Sequence, residues 1–342
     1  MQILMMKTVG SVLPIYPLMK RKTKYLVLGL FLGTYLFLCG FSGESGKALF
    51  EKRDYAGALK ALKSEVHAHP KHAELNYYLG RSYLALNQPE EALPYLQKAA
   101  GINSKIADYH FWLGVNYWAL LEFEKELHSY KTALAIDPDH IPSRVYAGHN
   151  HMDRGQWEKA LAFYENVLTK IPDNAEALFN AGRAYRELGQ TRKENDTWKT
   201  FLSFYRNGQK AFTAVNFLNA NGDFSYRTFR FGRRLRVLKQ IEFIDGRATL
   251  LDESIETIET AGRAINQNQD FVLQVLVYVN QDKPLAEKRA KNIKRAFLKT
   301  IPALPADRIK ISWFGVPERL NLDKKQYDLS PSVRFFTTPA GE

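Results

Sequence analysis

The chain has 342 residues, 45% of them hydrophobic, and a formal net charge of +12. That length allows two domains plus an anchor, and the charge points to an anionic neighbour such as phospholipid, cell wall or nucleic acid. A single cysteine excludes a disulfide framework and any cysteine-rich metal site.

Lys20, Arg21, Lys22 and Lys24 precede an apolar run from Tyr25 to Leu38, and Cys39 follows. A basic stretch before an apolar one has the layout of a secretory signal. Counted from Met19 rather than Met1, its proportions are ordinary. The segment resembles a bacterial lipoprotein signal, which implies lipidation of Cys39, although Leu38 stands where that family has Gly, Ala or Ser. The residues leave three outcomes open: a lipidated cysteine, an uncleaved anchor, or ordinary cleavage. For an anchor, the apolar run is near the lower limit of the roughly 17–25 residues that span a bilayer. Each outcome sends the body of the protein across a membrane, with the basic cluster on the cytoplasmic side. Residues 1–44 therefore read as a signal or membrane anchor with its tether. The "GESGK" at Gly43–Lys47 is not a phosphate loop, which would need glycine at Phe41 and Ser or Thr at Ala48.

Gly80, Gly114, Gly148 and Gly182 then recur every 34 residues, each followed three residues on by Tyr83, Tyr117, His151 or Tyr185. Pro70, Pro138 and Pro172 close successive units, with Ser104 as the exception. A small residue returns at Ala58, Ala92 and Ala160, and Glu126 interrupts that series. Such a period means stacked supersecondary units, none of which buries its apolar face alone. The stretches "AELNYYLGRSYLALNQPEEALPYLQKAAGINSK" and "ADYHFWLGVNYWALLEFEKELHSYKTALAIDPDH" resemble the tetratricopeptide repeat (TPR). The resemblance implies helix–turn–helix units over 45–205, about five of them. The last is incomplete, with Asn195 in the place of a small residue in its second helix, Thr191–Phe204.

In that family the second, fifth, ninth and twelfth residues of each unit face the ligand. The second positions are Glu74, Asp108, Pro142 and Glu176. The others include Tyr77, Arg81 and Leu84; Phe111, Val115 and Trp118; His149 and Met152; and Phe179 and Arg183. The resemblance makes these residues the floor of a groove for a protein or peptide ligand with apolar anchors. Aromatic residues at helical spacing also serve packing between repeats, and both roles stay open. His149 and His151 are two residues apart, about 200° around a helix, so they cannot share a metal ion.

Beyond Tyr205 the helical stripe fades, and 206–234 reads as a linker with turn signals at Gly208 and "NANGD". It ends in a basic cluster, Arg227, Arg230, Arg233, Arg234 and Arg236. Over 235–342 the pattern predicts a strand ending in Ile241 and Phe243, then a helix at about Asp252–Gln267. A strand at Phe271–Val279, a helix at Leu285–Thr300 and strands at Arg308–Phe314 and Ser332–Thr338 complete it. This alternation predicts a two-layer α/β domain. "IEFIDGRATLLDESIETI", "LAEKRAKNI" and "RIKISWFGVPE" are similar to the OmpA-like peptidoglycan-binding domain. The resemblance implies that Arg289 meets the carboxylate of a diaminopimelate ligand, for which a guanidinium fork is suited. Asn280 takes the place of the family's ligand-binding aspartate. The family's Gly-His-Thr-Asp is Val277–Asn280 here, and its Asn-Arg-Arg-Val is Ser330–Val333.

The expected fold class is α + α/β: an all-α TPR superhelix followed by a small two-layer α/β OmpA-like domain. No catalytic motif is recognisable, so neither an enzyme nor a cofactor or metal is expected. The two resemblances imply a membrane-anchored scaffold on the periplasmic side of the cell envelope, held to the inner or outer membrane. It would bind a protein partner in the repeat groove and dock on peptidoglycan or an adjacent envelope complex. The alternative is a periplasmic assembly chaperone for a secretion or motility machine, whose terminal domain contacts protein instead of peptidoglycan. Export conflicts with nucleic acid as the partner of the arginine cluster.

Overall fold

The computed structural model describes residues 44–322 and 325–340. The signal or anchor reading, the choice between Met1 and Met19, and Cys39 lie outside the described residues. The chain divides into two compact units, 1–143 and 144–342.

The first unit is helical: α1 (Gly46–Glu51), α2 (Tyr55–Ala68), α3 (Ala73–Ala85), α4 (Pro89–Ile102), α5 (Ala107–Ala119) and α6 (Phe123–Ile136). Side-chain caps fix several starts: Asp54 accepts from the Gly57 N–H, and His72 accepts from the Leu75 N–H. Pro89 opens α4, where its missing N–H has no helical partner to lose. Ala58, Leu62, Leu79, Ala92, Leu96 and Ala99 form the core between consecutive pairs, all at most 1% exposed.

The second unit begins with α7 (Ile141–Asp153, its first residues at the boundary), α8 (Trp157–Lys170), α9 (Ala175–Glu187) and α10 (Thr191–Phe204). The repeat glycine has a direct steric cause. A Cβ on Gly182 would come within 2.6 Å of the fully buried Trp198 ring on the paired helix.

Within each pair the turn carries one residue at positive φ: Arg53, Asn87, Leu121, Gly155 and Gly189, again 34 residues apart. Glycine therefore fills the slot in two of five turns.

Glu194, not Asn195, occupies the small-residue slot of α10. It is 2% exposed, and its Oε1 accepts from Trp198 Nε1 at 3.1 Å and Arg186 Nη1 at 3.2 Å. The slot tolerates a carboxylate because Trp198 and Arg186 satisfy it.

The region read as a linker is structured. Residues Gln209–Ala220 form α11, whose Ala211, Ala214, Val215 and Leu218 are buried. Tyr226–Phe231 (β1) and Arg234–Lys239 (β2) then make an antiparallel hairpin. Helix α11 lies against both strands, and Trp198, Leu202, Leu218, Tyr226 and Val237 share one core. The last repeat and the α/β region are thus joined by a continuous apolar interior.

The strand expected to end at Ile241 and Phe243 lies earlier, at β2; Phe243 keeps an isolated bridge to Leu250. The remaining elements are α12 (Ser254–Asn266), β3 (Phe271–Tyr278), α13 (Lys283–Thr300), β4 (Ile309–Phe314), the hairpin β5 (Glu318–Leu322) with β6 (Lys325–Leu329), and β7 (Ser332–Pro339). The main sheet has the order β2-β1-β7-β3-β4. β3 runs parallel to β4 and antiparallel to β7. Leu273, Val275 and Val277 alternate onto the face covered by α12 and α13, where Ile258, Ala290, Ile293 and Phe297 meet them. This is a two-layer α/β arrangement. The β5–β6 hairpin has no counterpart in the sequence reading.

Candidate interaction surfaces

In the first unit, α3 and α5 bring three of the predicted groove positions, Tyr77, Arg81 and Asp108, into one network. Tyr77 is buried; its hydroxyl accepts from Arg81 Nη1 at 2.9 Å and donates to Asp108 Oδ2 at 3.2 Å. Asp108 Oδ1 lies 3.2 Å from His140 Nε2, and His140 Nδ1 lies 2.8 Å from Ser143 Oγ. The His140 hydrogen bond holds the Asp108 carboxyl below its usual range, against the opposing effect of burial. Burial pushes the Tyr77 hydroxyl upward, so it stays protonated and keeps donating.

Arg81 is sandwiched, its guanidinium carbon 4.1 Å from the Trp112 ring centre and 4.7 Å from that of Phe50. Such contacts contribute about 0.5–1 kcal/mol each at accessible sites. Phe111 and Val115 are buried and serve packing, whereas Leu84 and Trp118 keep part of their surface free. The accessible functional groups here are Arg81, Leu84, Trp118 and the half-exposed Asp108 carboxylate.

In the second unit, Met152 is buried and Phe179 half-buried, edge-on to Trp198. Arg183 is exposed, with Nη1 donating to Asn180 Oδ1 at 3.3 Å. Asn180 Nδ2 lies 3.0 Å from His149 Nε2. Burial, reinforced by the positive charges of Lys210 and Arg183, lowers the His149 imidazole to about 4, outweighing the pull of Glu176. Neutral His149 therefore accepts the Asn180 amide proton. Lys210 of α11 pairs with Glu176 and lies 5.3 Å from the Phe179 ring centre. Sequence reasoning passed over Lys210, although the 211, 214, 215 and 218 spacing beside it carries a helical stripe.

In the α/β region, Arg289 and Asn280 stand in different surroundings. Arg289 is 4% exposed, donates from Nε to the Arg247 carbonyl at 2.9 Å, and lies 4.4 Å over the Phe243 ring centre. Burial lowers its guanidinium, partly offset by Asp282 and Asp245. Asn280 is exposed, and its backbone N–H donates to Ser330 Oγ at 2.7 Å. A cleft of about 590 Å³ opens nearby, between Ser225, Gln240, Phe243, Asp245 and Ser330–Pro331. Neither Arg289 nor Asn280 lines it.

Paired antiparallel helices of this spacing define a helical-repeat protein-interaction scaffold. Tetratricopeptide repeat family models match residues 44–105 and 80–141, a TPR repeat model matches 148–189, and a further tetratricopeptide repeat model matches 176–218. The repeats are tetratricopeptide repeats. Among solved structures, the chain is similar to "MamA protein" at 23% identity, covering 46% of this chain and 86% of that one with a TM-score of 0.43. It is similar to YrrB, "a TPR protein with an unusual peptide-binding site", at 20% identity, covering 49% and 87% with a TM-score of 0.44. No curated protein matches the chain.

Proposed function

We propose that this protein is a membrane-anchored scaffold of the cell envelope whose repeats hold a peptide segment of a partner protein. The observation that carries the peptide-binding reading is the network in the first unit. Tyr77, Arg81, Asp108 and His140 orient one another before any ligand arrives, which lowers the ordering cost of binding. Asp108 offers a carboxylate to ligand N–H groups, and Leu84 and Trp118 offer apolar surface for an anchoring side chain. The membrane reading rests on the basic and apolar run from Lys20 to Leu38.

The test places a photo-crosslinking amino acid at Trp118 or Arg183 of the full chain, with Phe204, an exposed residue of α10, as the control. Arg183 tests the second unit by itself. A defined adduct at Trp118 that is absent at Phe204 supports the site of the first unit, and Arg81→Ala should weaken it. Equal capture at all three positions refutes it. Fractionation of the same cells checks the envelope: recovery in the soluble cytoplasmic fraction defeats that part.

For the terminal domain, the OmpA-like resemblance favours a dock on peptidoglycan through Arg289. The burial of Arg289 and its bond to Arg247 favour the second reading, in which the domain contacts an adjacent envelope protein. Sedimentation of the full chain with purified sacculi decides between them. Pelleting that Arg289→Ala abolishes supports the wall; absence of pelleting supports a protein contact.

A further inference from the structure

The five strands of the main sheet contain seven arginines and lysines and no acidic residue. Three of the seven have ion pairs: Arg227 and Arg334 with Glu318, and Lys239 with Glu253. The helices α12 and α13 cover one face of this sheet. On the other, α11 covers only the end near Tyr226 and Val237.

The uncovered end has a definite composition. Register places Leu235, Arg230, Phe336, Gln274 and Lys310 side by side across β2, β1, β7, β3 and β4. Arg230 and Lys310 are exposed, and among the described residues neither has an ion pair. The hairpin turn adds Arg233 and Arg234, also exposed and unpaired among the described residues, around Leu235, which is 44% exposed. The turn is held in place: the Gly232 N–H donates to Thr337 Oγ1 at 2.7 Å. Beside Lys310 lies a cleft of about 440 Å³ that Gln274 and Thr338 also line, with Asp307 as its one acid.

We propose that this end of the sheet, led by the β1–β2 hairpin, docks on an anionic phospholipid surface. Clustered cations with an exposed aliphatic side chain among them match such a surface on two counts. The guanidinium groups meet phosphate, and Leu235 enters the boundary between headgroups and acyl chains. A single-stranded nucleic acid would instead need free aromatic faces on which bases stack. Tyr278 and Phe314 stack on each other at 4.9 Å, and Phe336 and Phe271, the latter beside Gly232, are half-buried. The contact is separate from the N-terminal anchor and does not depend on it.

The test uses the full chain with Leu235→Cys on a Cys39→Ser background, labelled with an environment-sensitive fluorophore. Ile255→Cys on α12, on the opposite layer, is the control. Vesicles containing phosphatidylglycerol should shift the label at 235 toward an apolar environment and leave the label at 255 unchanged. Neutral phosphatidylcholine vesicles should do neither, even where the N-terminal segment holds the protein to them. Arg233→Glu with Arg234→Glu should weaken the response at least about tenfold, as should raising the salt. Equal responses at 235 and 255, or equal responses to both vesicle types, overturn the proposal. A response to single-stranded oligonucleotide but not to anionic vesicles overturns it in favour of nucleic acid.

Discussion

Arg227 and Glu318 lie 91 residues apart and meet through two parallel hydrogen bonds, Nη1 to Oε2 at 2.7 Å and Nη2 to Oε1 at 2.8 Å. Both side chains are buried, and Ser332 donates to the same carboxylate. Removing Arg227 leaves the buried Glu318 carboxylate opposed by the more distant Arg334, with Nη1 at 3.7 Å, in place of the two close hydrogen bonds. Arg227→Met should therefore destabilise by about 3–5 kcal/mol. The double change Arg227→Met with Glu318→Leu should recover most of that loss. Urea unfolding of the four proteins of this cycle measures the coupling; equal single and double losses would contradict it.

His149 predicts an acid-sensitive stability. Its imidazole is lowered to about 4 from an ordinary value of 6.5, so the unfolded chain takes up the proton first as pH falls. The contribution is complete above 6.5 and is lost as pH drops through 6.5 toward 4. It amounts to roughly 2 kcal/mol once partial exposure is allowed for. His149→Gln should flatten the stability curve in that window. An unchanged slope between pH 4 and 6.5 would assign the acid sensitivity elsewhere.

Leu121 sits at φ 61° with 62% of its surface exposed, in the slot that Gly155 and Gly189 fill one and two units further on. A left-handed conformation costs a β-carbon residue about 1–2 kcal/mol, and glycine gives back part of this through its freer unfolded state. Leu121→Gly should therefore stabilise by about 1 kcal/mol, read as a rise in denaturation midpoint with an unchanged slope.

Val237 lies 3% exposed in the core that α11 shares with the last repeat. An aspartate there would bury a charge without a partner. Val237→Asp should accelerate amide hydrogen exchange in α10 and α11 as well as in β1 and β2. Acceleration confined to the strands would mean that the two parts open independently.

The repeats were legible because each unit restates the same steric demand, as Gly182 meeting Trp198 illustrates. The α/β pattern from α12 to β4 was legible because its helical and alternating periods are long. Helix α11 was hidden by the turn residues at both of its ends, which masked its apolar spacing. The β1–β2 hairpin was hidden because arginines alternate with its buried Tyr226, Phe229 and Phe231. Motif spacing placed Arg289 on the correct helix. It could not reveal that the Arg247 carbonyl, 42 residues away, takes its hydrogen bond.

The shared core of α10, α11 and the β1–β2 hairpin turns the α/β region into a fixed handle on the last repeat. Nothing between them can swing without uncovering Trp198 and Leu218. A ligand on α9, as proposed, would therefore be held at a set bearing to a surface met by the sheet. A pull on one is passed to the other as through a stiff bracket, with no slack for a tether to take up.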